Sequence, residues 1–128
     1  MQKRIASMAA FGVALGLVLV TSVGAASEEK RTAYLTFSGP VGLPGVVLPA
    51  GTYIFEVPDP NMSWDIVRVT NRQRSQVYFT AFTDRVERRA EMRGETGITF
   101  AEPEAGRVRK VAAWYPRGEP VGHEFIYR

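Results

Sequence analysis

Between Arg31 and Arg128 the apolar residues recur at nearly every second position, and clusters of Gly, Pro, Asn or Asp interrupt them every 8 to 15 residues. An extended chain points successive side chains to opposite faces, so this period predicts half-buried antiparallel strands joined by turns. In Thr32 to Ser38, Leu35 and Phe37 share one face and Tyr34 and Thr36 the other. The run Gly39-Pro40-Val41-Gly42-Leu43-Pro44-Gly45 then breaks the ladder. Val46 to Leu48 is a short extended piece ended by Pro49-Ala50-Gly51, where a tight turn with positive φ is expected at Gly51. Tyr53, Phe55 and Val57 follow on one face, until Pro58-Asp59-Pro60-Asn61 stops that strand. Trp64 to Thr70 carries apolar residues on both faces and reads as more central. A polar turn at Asn71 to Arg74 leads into Gln76 to Thr83, with Val77, Phe79 and Ala81 opposed to Tyr78, Thr80 and Phe82. Gly97 to Ala101, Arg107 to Tyr115 and Gly122 to Arg128 complete the set. Phe55 and Phe79 are the residues this phase places most firmly in the core.

These are seven or eight short strands with no helix after the leader, so the fold class is all-β. An antiparallel β-sandwich suits them better than a closed barrel. A transmembrane barrel is excluded, because eight spanning strands of about 9 to 11 residues would leave little chain for turns. Asp84 to Glu95 is the least apolar stretch, and Arg85, Arg88, Arg89 and Arg93 alternate there with Asp84, Glu87, Glu91 and Glu95. Opposite charges cancel along it, so it reads as a solvated loop or one exposed helical turn.

Residues 1–26 have a different pattern: basic Lys3 and Arg4, an apolar stretch from Met8 to Val20, and small residues ending in Val23-Gly24-Ala25-Ala26. This is the layout of a secretory signal peptide, expected as a leader helix cleaved after Ala25 or Ala26. A retained anchor is the rival, since the uncharged stretch from Ile5 is long enough to cross a bilayer, although its three Gly and several Ala and Ser favour cleavage. Residues 27–128 would then form a single β-sandwich domain, exported to the periplasm or beyond.

Composition narrows the chemistry. The chain has 128 residues and no cysteine, which excludes disulfides, thiolate metal sites, a cysteine nucleophile and a lipid-modified cysteine. Of its 16 basic residues two lie in the leader, leaving 14 against 13 acidic ones from Ser27 onward. A net charge of +1 gives no basic face for nucleic acid. Among membrane contacts only the uncleaved leader is expected. Plentiful aromatics argue against disorder.

Candidate sites are few. His123 is the only histidine, and Ser27, Ser38, Ser63 and Ser75 lie in no Gly-x-Ser-x-Gly elbow, so Ser/His chemistry is not expected. His123 and Glu124 are adjacent in a strand and project to opposite faces, a poor start for a metal site. Asp59, Asn61 and Asp65 alternate in an oxygen-rich loop but lack the glycine and terminal glutamate of an EF-hand. No metal, cofactor or catalytic residue is assigned. The candidate binding residues are Trp114, Tyr115, Arg117, His123 and Tyr127, aromatics that stack on sugar rings or apolar surfaces with an arginine for hydroxyl groups.

With Leu48-Pro49-Ala50-Gly51-Thr52-Tyr53, Ala113-Trp114-Tyr115-Pro116 and Gly122-His123-Glu124-Phe125-Ile126-Tyr127 in view, residues 31–128 resemble a group of small exported bacterial proteins. The resemblance implies an all-β exported domain and carries no established activity or functional residues. The expectation is a non-enzymatic domain with a binding or structural role at the cell envelope, its partner an envelope protein or a polysaccharide. A carbohydrate-binding module using the C-terminal aromatics and a small carboxylate-dependent hydrolase are the alternatives.

Overall fold

In the computed structural model, which describes residues 18–21, 31–92 and 94–128, the alternating segments become strands wherever a neighbour can take their backbone hydrogen bonds. In chain order these are β1 (Val18–Thr21), β2 (Thr32–Phe37), β3 (Val41–Leu43), β4 (Val46–Leu48), β5 (Gly51–Glu56), β6 (Ile66–Asn71), β7 (Val77–Phe82), β8 (Asp84–Glu87), β9 (Gly97–Phe100), β10 (Arg109–Tyr115) and β11 (Val121–Glu124). A short 3-10 turn spans Ala90–Met92. One sheet has the order β1-β2-β5-β6-β7 and the other β4-β3-β10-β11-β8, with β9 also paired to β10. All pairings are antiparallel except β3 with β10, which is parallel. The fold is the expected all-β, two-sheet architecture.

Leu35, Phe37, Phe55, Val57, Val67, Val69 and Phe79 of the first sheet pack between the layers against Leu43, Leu48, Val111, Trp114 and Phe125 of the second. Edge-on aromatic contacts join them: Phe55 to Trp114 at 6.0 Å, Phe55 to Phe125 at 6.3 Å and Phe79 to Phe125 at 5.5 Å. Phe55 has no exposed surface and Phe79 only 8%, as the period of two requires. Gly51 opens β5 with φ of +155°, a conformation that L side chains rarely adopt, which accounts for glycine between Ala50 and Thr52.

The structure departs from the sequence reading in several places. The Gly39 to Gly45 run does end the β2 ladder, but it does so by carrying the chain to the other sheet, where Val41–Leu43 pairs with β4 and β10. Asp84–Glu87 is a strand on β11 rather than a solvated loop, because its backbone finds the free edge of that strand. Trp64 and Asp65 precede their strand, since the Asp65 N–H turns back to Ser63 Oγ at 3.0 Å. At β7 the register shifts so that Phe79 faces Val69 while Val77 faces Thr70, which turns Val77 off the core face and leaves it exposed. At β10 a similar shift between Val111 and Ala113 puts Val111 and Trp114, three residues apart, on the same core face.

Most of the expected leader helix lies outside the described residues. Its part at Val18–Thr21 runs as a strand, antiparallel to β2, with Thr21 opposite Tyr34 and Val18 opposite Phe37. Among the described residues no helix is long and apolar enough to cross a membrane.

Candidate functional site

The C-terminal aromatics are structural. Trp114 has no exposed surface, stacks on His123 at 5.3 Å and keeps its Nε1–H buried with no hydrogen-bond partner among the described residues, so it contributes ring area to the core. Tyr115 is buried on the other side of β10. Tyr127 reaches the Val111 carbonyl oxygen at 2.6 Å and that of Gly42 at 3.0 Å, pinning the chain's end across β10 and β3. Burial pushes its phenol up to about 12. Arg117 is exposed in the turn after β10. The expected row of stacking rings is therefore absent, because a bulge and the sheet pairing turn these aromatics inward.

An open cleft of about 240 Å³ lies at one end of the sandwich, lined by Trp64, Asp65, Arg85 and the segment Glu119-Pro120-Val121-Gly122-His123. Of the expected binding residues only His123 belongs to it. Four elements build it: the turn before β6, the strand β8, the turn before β11, and β11 itself. Arg85 and His123 are direct cross-strand partners. Arg85 Nε donates to Asp65 Oδ1 at 2.9 Å, a charge-assisted bond that holds the guanidinium pKa above its usual value. Trp64 keeps 40% of its surface exposed beside this pair.

Thr83 anchors the Trp64 side. Its N–H and its hydroxyl both donate to the Asp65 carbonyl oxygen, at 2.7 and 2.8 Å. A hydroxyl has one proton to give, so the 3.2 Å contact from Thr83 Oγ1 to His123 Nδ1 has the imidazole as donor. Nδ1 thus carries the proton and Nε2 is left as an acceptor. Burial pushes the His123 pKa down to about 4; Asp65 pulls it up and Arg85 pushes it down further. The ring is neutral near pH 7.

The opposite wall hangs on Arg88. Its guanidinium donates to the carbonyl oxygens of Glu119 at 2.6 Å, Glu95 at 2.8 Å and Pro116, and its N–H donates to the Pro120 carbonyl at 2.9 Å. It also lies over the Tyr115 ring, 5.7 Å from the centroid. Burial lowers its pKa. One side chain so fixes the turn that presents Glu119 and Pro120.

The chain matches no family model, no curated protein and no solved structure.

Among the described residues no three His, Asp or Glu side chains come together to hold a metal ion. In the loop at Asp59 to Asp65, Asp65 is taken by Arg85, and the Asp59 carbonyl accepts the N–H groups of Met62 and Ser63 at 3.0 Å each. Sequence reasoning gave Arg85 and Arg88 no site role and did not single out Trp64. For Trp64 a signal existed, an aromatic three residues after the turn-forming Pro58-Asp59-Pro60-Asn61 cluster. For Arg88 none did, because its partners Pro116 and Glu119 are 28 and 31 residues away.

Proposed function

We propose that the chain is an exported, non-enzymatic binding domain of the cell envelope, and that it takes a sugar unit of an envelope polysaccharide in the cleft between Trp64 and His123. The observation that carries the reading is a half-exposed indole beside the Asp65–Arg85 ion pair in one open cleft. A sugar ring has an apolar C–H face for an aromatic ring and a rim of hydroxyls for charged donors and acceptors. Arg85 donates, Asp65 and Glu119 accept, and Pro120 and Val121 supply apolar contact. Pockets for drug-sized ligands run from about 300 to 1,000 Å³, so a cleft of about 240 Å³ suits one small unit, such as a chain end or a single residue of a longer glycan. The basic leader with its small-residue end supports export.

The test is depletion of the purified protein by insoluble polysaccharides and peptidoglycan, beside Trp64→Ala. Because Trp64 lies outside the strands, the variant keeps its melting temperature while depletion falls at least tenfold. No depletion by any polymer would refute the sugar reading and favour an envelope protein as partner. The two carboxylates that line the cleft favour one second reading, a carboxylate-dependent hydrolase. Release of reducing sugar that disappears in both Asp65→Asn and Glu119→Gln would replace the binding role with that one.

A further inference from the structure

The edge of β2 is built to accept a strand, and we infer that after leader removal its occupant is the β2 edge of a second copy of this chain. The inference rests on the export reading, because the expected cleavage after Ala25 or Ala26 falls between β1 and β2 and takes away the strand seated there.

The direction of the backbone groups follows from the β2–β5 ladder. Val57 N–H donates to the Arg31 carbonyl oxygen at 2.9 Å, and extending the β2–β5 register makes these residues direct partners. Residues 33, 35 and 37 therefore turn their N–H and C=O groups toward β5, and Thr32, Tyr34 and Thr36 turn theirs toward the edge. In the full-length chain β1 covers that edge with the uncharged sequence Val18-Leu19-Val20-Thr21.

Without β1 the edge is unguarded. Natural sheets blunt their edges with charge, proline, bulges or short strands, and Thr32-Ala33-Tyr34-Leu35-Thr36-Phe37 has six residues and none of these devices. In the second sheet the edge strand β4 is only three residues long, and β8 carries Asp84, Arg85 and Glu87.

The β2 edge is also self-complementary. Antiparallel partners must share a face, so a two-fold axis between two copies passes through a residue and not between residues. An axis at Tyr34 sets Thr32 opposite Thr36 of the second copy, Tyr34 opposite its counterpart, and Ala33 opposite Leu35. All the edge-directed N–H and C=O groups of Thr32, Tyr34 and Thr36 are then paired. The core faces of the two first sheets become continuous, as do the faces carrying Tyr34. No charged residue of β2 is brought against its copy.

The experiment starts from the full chain exported by a bacterial host, with the N-terminus of the product read by mass spectrometry. Sedimentation over a wide concentration range then gives the association constant for the natural sequence, for Tyr34→Lys, for Tyr34→Glu and for an equimolar mixture of the two variants. Like charges at the axis weaken each variant's self-association about tenfold or more, while the mixture regains the natural constant. Melting temperatures confirm that the variants are folded, and Tyr34→Pro, which removes an edge-facing N–H and no β5 bond, supplies an independent block. A product that begins after residue 25 or 26 and stays monomeric at all concentrations overturns the dimer and leaves export standing. A mixture no stronger than its components overturns the register and with it the inference. A product that retains its leader refutes the cleavage on which the inference rests, and overturns it as well, since β1 then keeps the edge.

Discussion

Acid should loosen this domain through His123. The ring is 6% exposed, stacked on Trp114 and bonded to Thr83, and its pKa falls from 6.5 to about 4 on folding, chiefly by burial. Below pH 6.5 the unfolded chain therefore binds a proton that the folded chain refuses until about pH 4. Stability is complete above the unfolded value and is lost as pH falls from 6.5 toward 4. Weighing the two protonation equilibria between pH 7.5 and 4.5 gives a loss of roughly 2 to 3 kcal/mol from this residue, a drop in melting temperature of roughly 10 °C for a domain of this size. The measurement is a difference, so that contributions from the rest of the chain cancel. Urea unfolding followed by the fluorescence of the buried Trp114 is carried out at several pH values on the natural protein and on His123→Asn, whose amide still donates to Thr83 but cannot be protonated. The natural protein should lose roughly 2 to 3 kcal/mol more than the variant between pH 7.5 and 4.5. A difference that stays flat across this range would show that the imidazole is hydrated or charged in the folded state, and would refute the reasoning.

Three further outcomes follow from packing. A Cβ at Gly122 would lie 2.7 Å from Tyr115 Cε2 and 3.0 Å from the Trp114 carbonyl oxygen, so Gly122→Ala should cost about 1 to 3 kcal/mol in thermal unfolding, and the cost should shrink in a Tyr115→Leu background. Phe55→Ala empties the centre of the core and should cost about 3 to 5 kcal/mol in urea unfolding, with a loss near zero showing that the strand phase is wrong. Arg88→Lys keeps the charge and loses the fork that spans the carbonyls of Glu119, Glu95 and Pro116. It should lower stability by about 1 to 2 kcal/mol, and hydrogen exchange should accelerate at Glu119, whose N–H bonds to the Pro116 carbonyl within that turn, and at Gly118, whose N–H ties the turn to the Gly94 carbonyl.

Strand and turn positions are local properties, and they were legible in the order of residues. Alternation at Leu35-Phe37 and Tyr53-Phe55-Val57 decides which side chains must leave water together, and Gly and Pro decide where a ladder cannot run. The burial of Phe55 and Phe79 and the need for glycine at position 51 follow from that alone. The site was not legible in the same way. A bulge shifts the face of every residue beyond it, and whether an extra residue is tolerated at Ala112 or Tyr78 depends on the neighbouring strand. That is why Trp114, which read as part of a binding row, closes over the core, and why Val77 leaves it. Asp84–Glu87 is a strand only because β11 offers an open edge, and Arg88 is a structural tie only because the turn after β10 returns beside it. Period-two burial acts between residues two apart and is written in the chain itself; the cleft joins residues 64, 85 and 119–123, and only the pairing of distant strands brings their chemistry together.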